Sequence, residues 1–216
     1  MDILYQDNRI AVCLKPPGVL STDEPGGMPS LLRAALGTDC VRTVHRLDAA
    51  VGGVMVFARS RMAASILSEQ IREHRFQKEY LAVVHGMLPA EGRMQDFLLR
   101  DRRDGMTRVA EAGTPGAKEA RLSYRVLARI DGKTLVRVAL ETGRTHQIRV
   151  QFSARGHALL GDRKYGRGEA GGIALWSCRI GLFHPESGMW MTFSHAPNGI
   201  PQFSDFEDCF SNAADV

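Results

Sequence analysis

The chain lacks the features that would tie it to an oxidising compartment or a membrane. Its 216 residues contain four cysteines, Cys13, Cys40, Cys178 and Cys209. None pairs as C-x-x-C and none stands with histidines at zinc-ligand spacing, so reduced thiols in the cytoplasm are expected and no metal is. The first residues lack the basic stretch and apolar core of a secretory signal. No apolar run approaches the roughly 20 residues that span a bilayer. There is no internal repeat and no low-complexity linker. Neither sign of charge dominates: 28 Lys and Arg stand against 24 Asp and Glu, a net charge of +4. That balance permits a nucleic-acid partner without requiring one. With 44% hydrophobic and 24% charged residues the chain has enough apolar surface to fold, which excludes disorder as the default.

What is present is mostly strand. Residues 9–15 (RIAVCLK) read as a buried strand stopped by Pro16-Pro17-Gly18. Residues 29–36 fit a short helix ended by Gly37. Residues 41–47 look extended, residues 48–53 form a small-residue loop, and residues 54–58 form a second buried strand. Ser60 is an N-cap for a helix to about His74, with Met62, Ile66, Leu67, Gln70 and Ile71 on one face. Residues 76–85 alternate as a strand closed by Gly86. Alternation returns at Ala120, Leu122, Tyr124 and Val126, and at Val136, Val138 and Leu140, with Asp131-Gly132 as a hairpin turn between them. Thr145 is expected to cap a helix through Ala154 that Gly156 stops. Strand-like pieces at 173–183 and 189–193 flank a turn at 184–188. The pattern predicts an α+β fold: one catalytic domain over residues 1–200, on a mixed, largely antiparallel sheet flanked by helices, and an acidic polar tail over 201–216.

Two segments carry the chemistry. Val44-His45-Arg46-Leu47-Asp48 sets an arginine and a carboxylate two apart in an apolar stretch. A hundred residues on, Glu141-Thr142-Gly143-Arg144-Thr145-His146-Gln147-Ile148-Arg149-Val150 packs Arg144, His146, Gln147 and Arg149 around one glycine. An aspartate kept ionised in a partly buried pocket needs a cationic partner, and the second segment has cations to spare. Basic clusters at Arg100, Arg102, Arg103 and Arg108, and at Arg163, Lys164 and Arg167, add phosphate-binding capacity. Together these features point to a charged active site acting on a polyanion. Taken singly, Asp48 would pass for a turn cap, Arg149 for a surface ion-pair residue and Tyr80 for a half-buried strand residue. The histidines read as hydrogen-bonding or structural.

These two segments, together with Lys78-Glu79-Tyr80-Leu81-Ala82-Val83-Val84-His85-Gly86 and Gly156-His157-Ala158-Leu159-Leu160-Gly161-Asp162-Arg163-Lys164-Tyr165-Gly166, resemble the RluA-type RNA pseudouridine synthases. The likeness spans roughly residues 3–197. It implies an isomerase that converts uridine to pseudouridine in structured RNA, ribosomal or transfer, without metal or cofactor. By that resemblance Asp48 is the catalytic aspartate, Tyr80 lies against the target uracil, Arg149 pairs with the Asp48 carboxylate, and Arg46 fills the gap left by a flipped nucleotide. Arg144, His146 and Gln147 would contact substrate. Family members commonly carry an S4-like module, and this chain is expected to begin directly in the catalytic domain. A monomer without an obligate protein partner is the default expectation.

One departure is visible. Where the family usually reads Thr-Ser-Gly after the aspartate, this chain has Val51-Gly52-Gly53, so hydroxyls that could bond the loop or the substrate are missing. That leaves a non-catalytic RNA-binding protein on the same scaffold as the alternative. A glycoside-processing enzyme would need a second carboxylate near Asp48. The candidates, Glu79 and Glu141, sit in motifs explained otherwise.

Overall fold

Runs of β-branched and apolar residues with polar or glycine breaks build strands wherever both faces can be covered. The computed structural model describes residues 2–211. Its described residues divide into two compact units, one formed by the chain up to Lys78 with Trp176–Ala196, the other by Glu79–Leu175 with residues 197–211. No helix among the described residues is long and apolar enough to cross a membrane.

In the first unit, β1 (Ile3–Gln6) and β2 (Ile10–Lys15) form an antiparallel hairpin. Helix α1 (Met28–Leu36) follows, ended by Gly37 in the left-handed region at φ 58°. The short strand β3 (Arg42–Thr43) and β2 both pair antiparallel with β4 (Gly52–Ala58). Strand β4 is buried along its whole length, which explains why its sequence shows no alternation. Helix α2 (Arg61–Arg72) starts at Ser60, whose side chain accepts the Ala63 N–H, as its sequence predicts. Strand β10 (Leu175–Phe183) runs parallel to β4 and pairs antiparallel with β11 (Trp190–Ser194). Gln70 of α2 bonds both backbone groups of Phe183 with its amide, so a side chain substitutes for a strand neighbour. Ile10, Val12, Val54, Val56, Leu67 and Ile180 are among the residues of this unit's core.

The second unit is an antiparallel sheet in the order β5 (Gln77–His85), β9 (Lys133–Leu140), β8 (Lys118–Ile130), β6 (Glu91–Arg100), β7 (Thr107–Ala110). Asp131 and Gly132 both have positive φ, 49° and 71°, which is the twist a two-residue hairpin requires. Helix α3 (Gln147–Ser153) lays Phe152 against Tyr124 at 5.5 Å and Val150 against Leu98 and Ala120. The helix does not begin as its sequence predicts. The residue at its N-cap is His146, in the left-handed region at φ 56°, with no side-chain cap, so Thr145 lies outside. The start is held by Gln147 instead, whose amide oxygen accepts the Arg144 N–H at 3.0 Å.

Strands β6 and β7 have no counterpart in the sequence reading, because the buried anchors Met94 and Leu98 lie four apart among charged residues. In the segment read as a polar tail, Pro201–Phe206 forms a 3-10 helix and Asp208–Ser211 a short α4. Phe203, Phe206 and Phe210 are buried, with Phe203 and Phe210 6.1 Å apart. The rest of that tail lies outside the described residues.

His45 shows what the first unit's core demands. Its Nε2 accepts the Val56 N–H at 3.1 Å, its ring packs on Phe76 at 5.4 Å, and its Nδ1 is buried without a hydrogen-bond partner. Burial, reinforced by the charge of Lys78, pushes its pKa from 6.5 down to about 3. The unfolded chain therefore binds a proton that the folded one refuses. Stability is complete above pH 6.5 and is lost as pH falls toward 3, with a limiting slope of about 1.4 kcal/mol per pH unit. His45→Gln is expected to flatten this acid limb in urea denaturation at pH 7 and pH 5, and an unchanged slope in the variant contradicts the assignment.

Candidate active site

In the first unit a buried lysine at the end of β2 organises the loop that carries Asp48. Lys15 is fully buried, and its ammonium donates to the carbonyls of Pro16, Val19 and Ala49 at 2.9, 2.6 and 2.9 Å. All three of its donors are thereby used. Burial lowers its pKa to about 8, against the opposing pull of the Asp48 charge, so it stays cationic at neutral pH. Gly18 N–H donates to the Ala49 carbonyl, and Val51 N–H closes a turn onto the Asp48 carbonyl. On the other side the buried Ser21 hydroxyl donates to Leu47 O at 2.8 Å and accepts the Leu47 N–H at 3.1 Å. Asp48 is half-buried at the tip of this clamped turn, and Arg46 is exposed beside it.

The glycines after Asp48 have a packing reason. A Cβ on Gly52 would lie 2.4 Å from the Trp176 ring and 3.0 Å from Pro17. The indole, anchored by its N–H on the His195 carbonyl at 2.8 Å, occupies the space a serine side chain would need. Gly53 has φ 122° and passes against the Ser177 backbone, where no side chain fits.

In the second unit the organising group is Arg149 on α3. It is buried, and its Nε and one terminal nitrogen bond the two oxygens of Asp162 at 2.8 and 2.7 Å. Asp162 is buried too, and also accepts the N–H groups of Lys164 and Tyr165. Burial alone would raise its pKa. The guanidinium and the two backbone donors outweigh that and hold it below the ordinary carboxylate value. The Arg149 guanidinium also lies 5.1 Å from the centroid of the Tyr165 ring.

The remaining residues singled out by the sequence divide by exposure. Tyr80 is buried on β5 opposite Val138. His146 is half-buried, its Nδ1 2.7 Å from the Tyr165 hydroxyl. Arg144 is half-buried, and its Nε donates to Glu119 O at 2.7 Å. Gln147 is buried, with its amide committed to Thr142, the Arg144 N–H and Arg121 O. Gln147 thereby braces the 142–147 loop. Sequence reasoning gave no role to Lys15, Asp162 or Tyr165. The signal for Lys15 was present, as a lysine ending an otherwise apolar strand before two prolines. For Asp162 and Tyr165 only the quoted motif could have pointed to them.

The model of the RNA pseudouridylate synthase family matches residues 9–154. The dual-specificity RNA pseudouridine synthase RluA of Yersinia pestis is 37% identical over 206 residues, covering 89% of this chain and 97% of that one. The uncharacterized RNA pseudouridine synthase YhcT of Bacillus subtilis is 34% identical over 198 residues, covering 86% of this chain and 65% of that relative's length. The solved structure of human RNA pseudouridylate synthase domain containing 1 has the same fold, with a TM-score of 0.77 over 91% of this chain and 83% of that one at 23% identity. The chain belongs to the RNA pseudouridylate synthase family.

The Trp176–Gly52 contact is directly testable. Gly52→Ser, which restores the usual family residue, is expected to cost about 1–3 kcal/mol in urea denaturation by overpacking. In a Trp176→Val background the same substitution should cost much less, and an equal cost in the two backgrounds contradicts the contact.

Proposed function

We infer that this protein isomerises uridine to pseudouridine in structured RNA, with the Asp48 carboxylate as the reacting group. The supporting observation is the Asp48 turn itself, held from both sides by Lys15 and Ser21 although the usual hydroxyls are absent. Trp176 fills the vacated space, so the Val51-Gly52-Gly53 departure is absorbed by packing and gives little support to a non-catalytic alternative.

The reaction breaks the N1–C1′ bond and joins C5 to C1′. The proton on C5 leaves and N1 gains one, so the nucleotide keeps its mass. A base stacked in a helix must first be extruded, at about a few kcal/mol. Arg46, exposed and planar at its head, is proposed to fill the gap, and Tyr80 to offer its ring to the uracil, where stacking is worth about 1–3 kcal/mol. Asp48 acts as nucleophile at C1′ or at the ring, or as base at the sugar. Arg149, already aligned by Asp162, is the proposed partner of the Asp48 carboxylate. Arg144, His146 and Gln147 are proposed to contact the substrate. Arg100, Arg102 and Arg103, with Arg163, Lys164 and Arg167, are exposed and suited to phosphates. They would supply salt-dependent affinity rather than sequence choice. Ribosomal or transfer RNA is the proposed substrate class.

Mapping pseudouridine across total RNA separates the readings. In cells lacking the gene, specific positions should lose the modification and regain it with the wild-type gene but not with Asp48→Asn. A position that needs the gene yet stays modified with Asp48→Asn would mean that the protein acts there without its own chemistry.

A further inference from the structure

Tyr165 stands where three parts of the second unit meet. Its hydroxyl accepts the Thr107 N–H at 2.8 Å and lies 2.7 Å from His146 Nδ1. Its ring supports the Arg149 guanidinium, meets the His146 ring edge-on at 5.5 Å, and packs on Leu98, Ala120 and Val150. Its backbone N–H bonds Asp162, the carboxylate that grips Arg149, and its carbonyl accepts the Ser153 hydroxyl of α3 at 2.6 Å. Thr107 opens β7, directly after the 101–106 loop that displays Arg102 and Arg103. A second tie runs between the same segments, from Lys164 Nζ to Gly105 O at 3.3 Å.

The hydrogen-bond accounting is tight. A phenol has one proton to give. With its oxygen accepting from Thr107, the hydroxyl still has a proton and a lone pair with which to meet His146 Nδ1, so one group bridges the two. The position of the arginine-bearing hairpin, the placement of the His146 ring and the seat of Arg149 thus share one side chain. A ring that only filled core volume would need no hydroxyl, and a buried hydroxyl left unbonded is costly.

We propose that Tyr165 is a positioning residue that couples phosphate engagement by the β6–β7 hairpin to the setting of Arg149. The proposal rests on the functional reading above, in which the hairpin arginines meet RNA phosphates and Arg149 serves the reacting carboxylate.

Tyr165→Phe keeps the ring, its packing and the Arg149 stack, and removes only the hydroxyl. Single-turnover pseudouridine formation is measured against RNA concentration for wild type, Tyr165→Phe, Arg102→Ala/Arg103→Ala, and the triple variant, well below the lowest melting midpoint of the set. In the wild-type background, removing the two arginines should raise the half-saturating RNA concentration and also lower the saturating rate, by about tenfold if coupling is of the usual size. In the Tyr165→Phe background the saturating rate is already low, and removing the arginines should change only the half-saturating concentration. A purely structural tyrosine would shift melting and the active fraction but leave the two effects on the saturating rate multiplicative. Multiplicative effects, or a wild-type rate in Tyr165→Phe, overturn the coupling while leaving the function standing. Absence of pseudouridine with the wild-type protein overturns the function and the coupling together.

Discussion

A charge withdrawn from water has to find its hydrogen bonds inside the protein, and this demand shapes both units. Among the described residues, Lys15 and Arg149 are the buried lysine and arginine, one in each unit. Lys15 satisfies its ammonium with three backbone carbonyls, two on the loop after β2 and one, Ala49, in the Asp48 turn itself. Arg149 satisfies part of its guanidinium with a bidentate carboxylate that is itself bonded by two backbone N–H groups. Because an unmet donor or acceptor at such a site costs several kcal/mol, each arrangement resists local drift. The buried cations therefore act as fixtures, and the loops they hold carry the candidate chemistry.

The glycines and the indole near Asp48 belong to the same logic. Strand β4 is buried on both faces, so the only way to bring β10 close at its start is to omit side chains at Gly52 and Gly53. Trp176 exploits that omission. A loop that lacks the usual hydroxyls is then stiffened by packing and by Ser21 from a different segment. The turn is thus held by packing and by hydrogen bonds from outside it rather than by hydroxyls of its own.

Much of the framework was legible in the sequence because it follows local rules. The Asp131-Gly132 hairpin, the Ser60 cap and the Gly37 and Gly156 stops are set by backbone sterics and short-range hydrogen bonds. What was not legible depends on tertiary partners. Strands β6 and β7 bury too few residues, too irregularly, to show a period of two. The N-cap of α3 is His146 and not Thr145, because a left-handed turn is held by Gln147 and by contacts with the distant Tyr165. Of the candidate residues, Asp48, Tyr80 and Arg149 stood out through their motifs. The groups that hold them still did not, because support for a side chain comes from wherever the fold delivers it.

The most direct test of this account removes one fixture and leaves the reacting groups untouched. Lys15→Met keeps the length and apolar character of the side chain but leaves the carbonyls of Pro16, Val19 and Ala49 without their donor. At a temperature where circular dichroism shows the variant folded, its single-turnover rate of pseudouridine formation should fall by about tenfold or more, since misplacing a reacting group by roughly 1 Å costs up to about a hundredfold. A folded Lys15→Met protein that converts uridine at the wild-type rate would contradict the claim that the buried lysine sets the Asp48 turn for the proposed reaction.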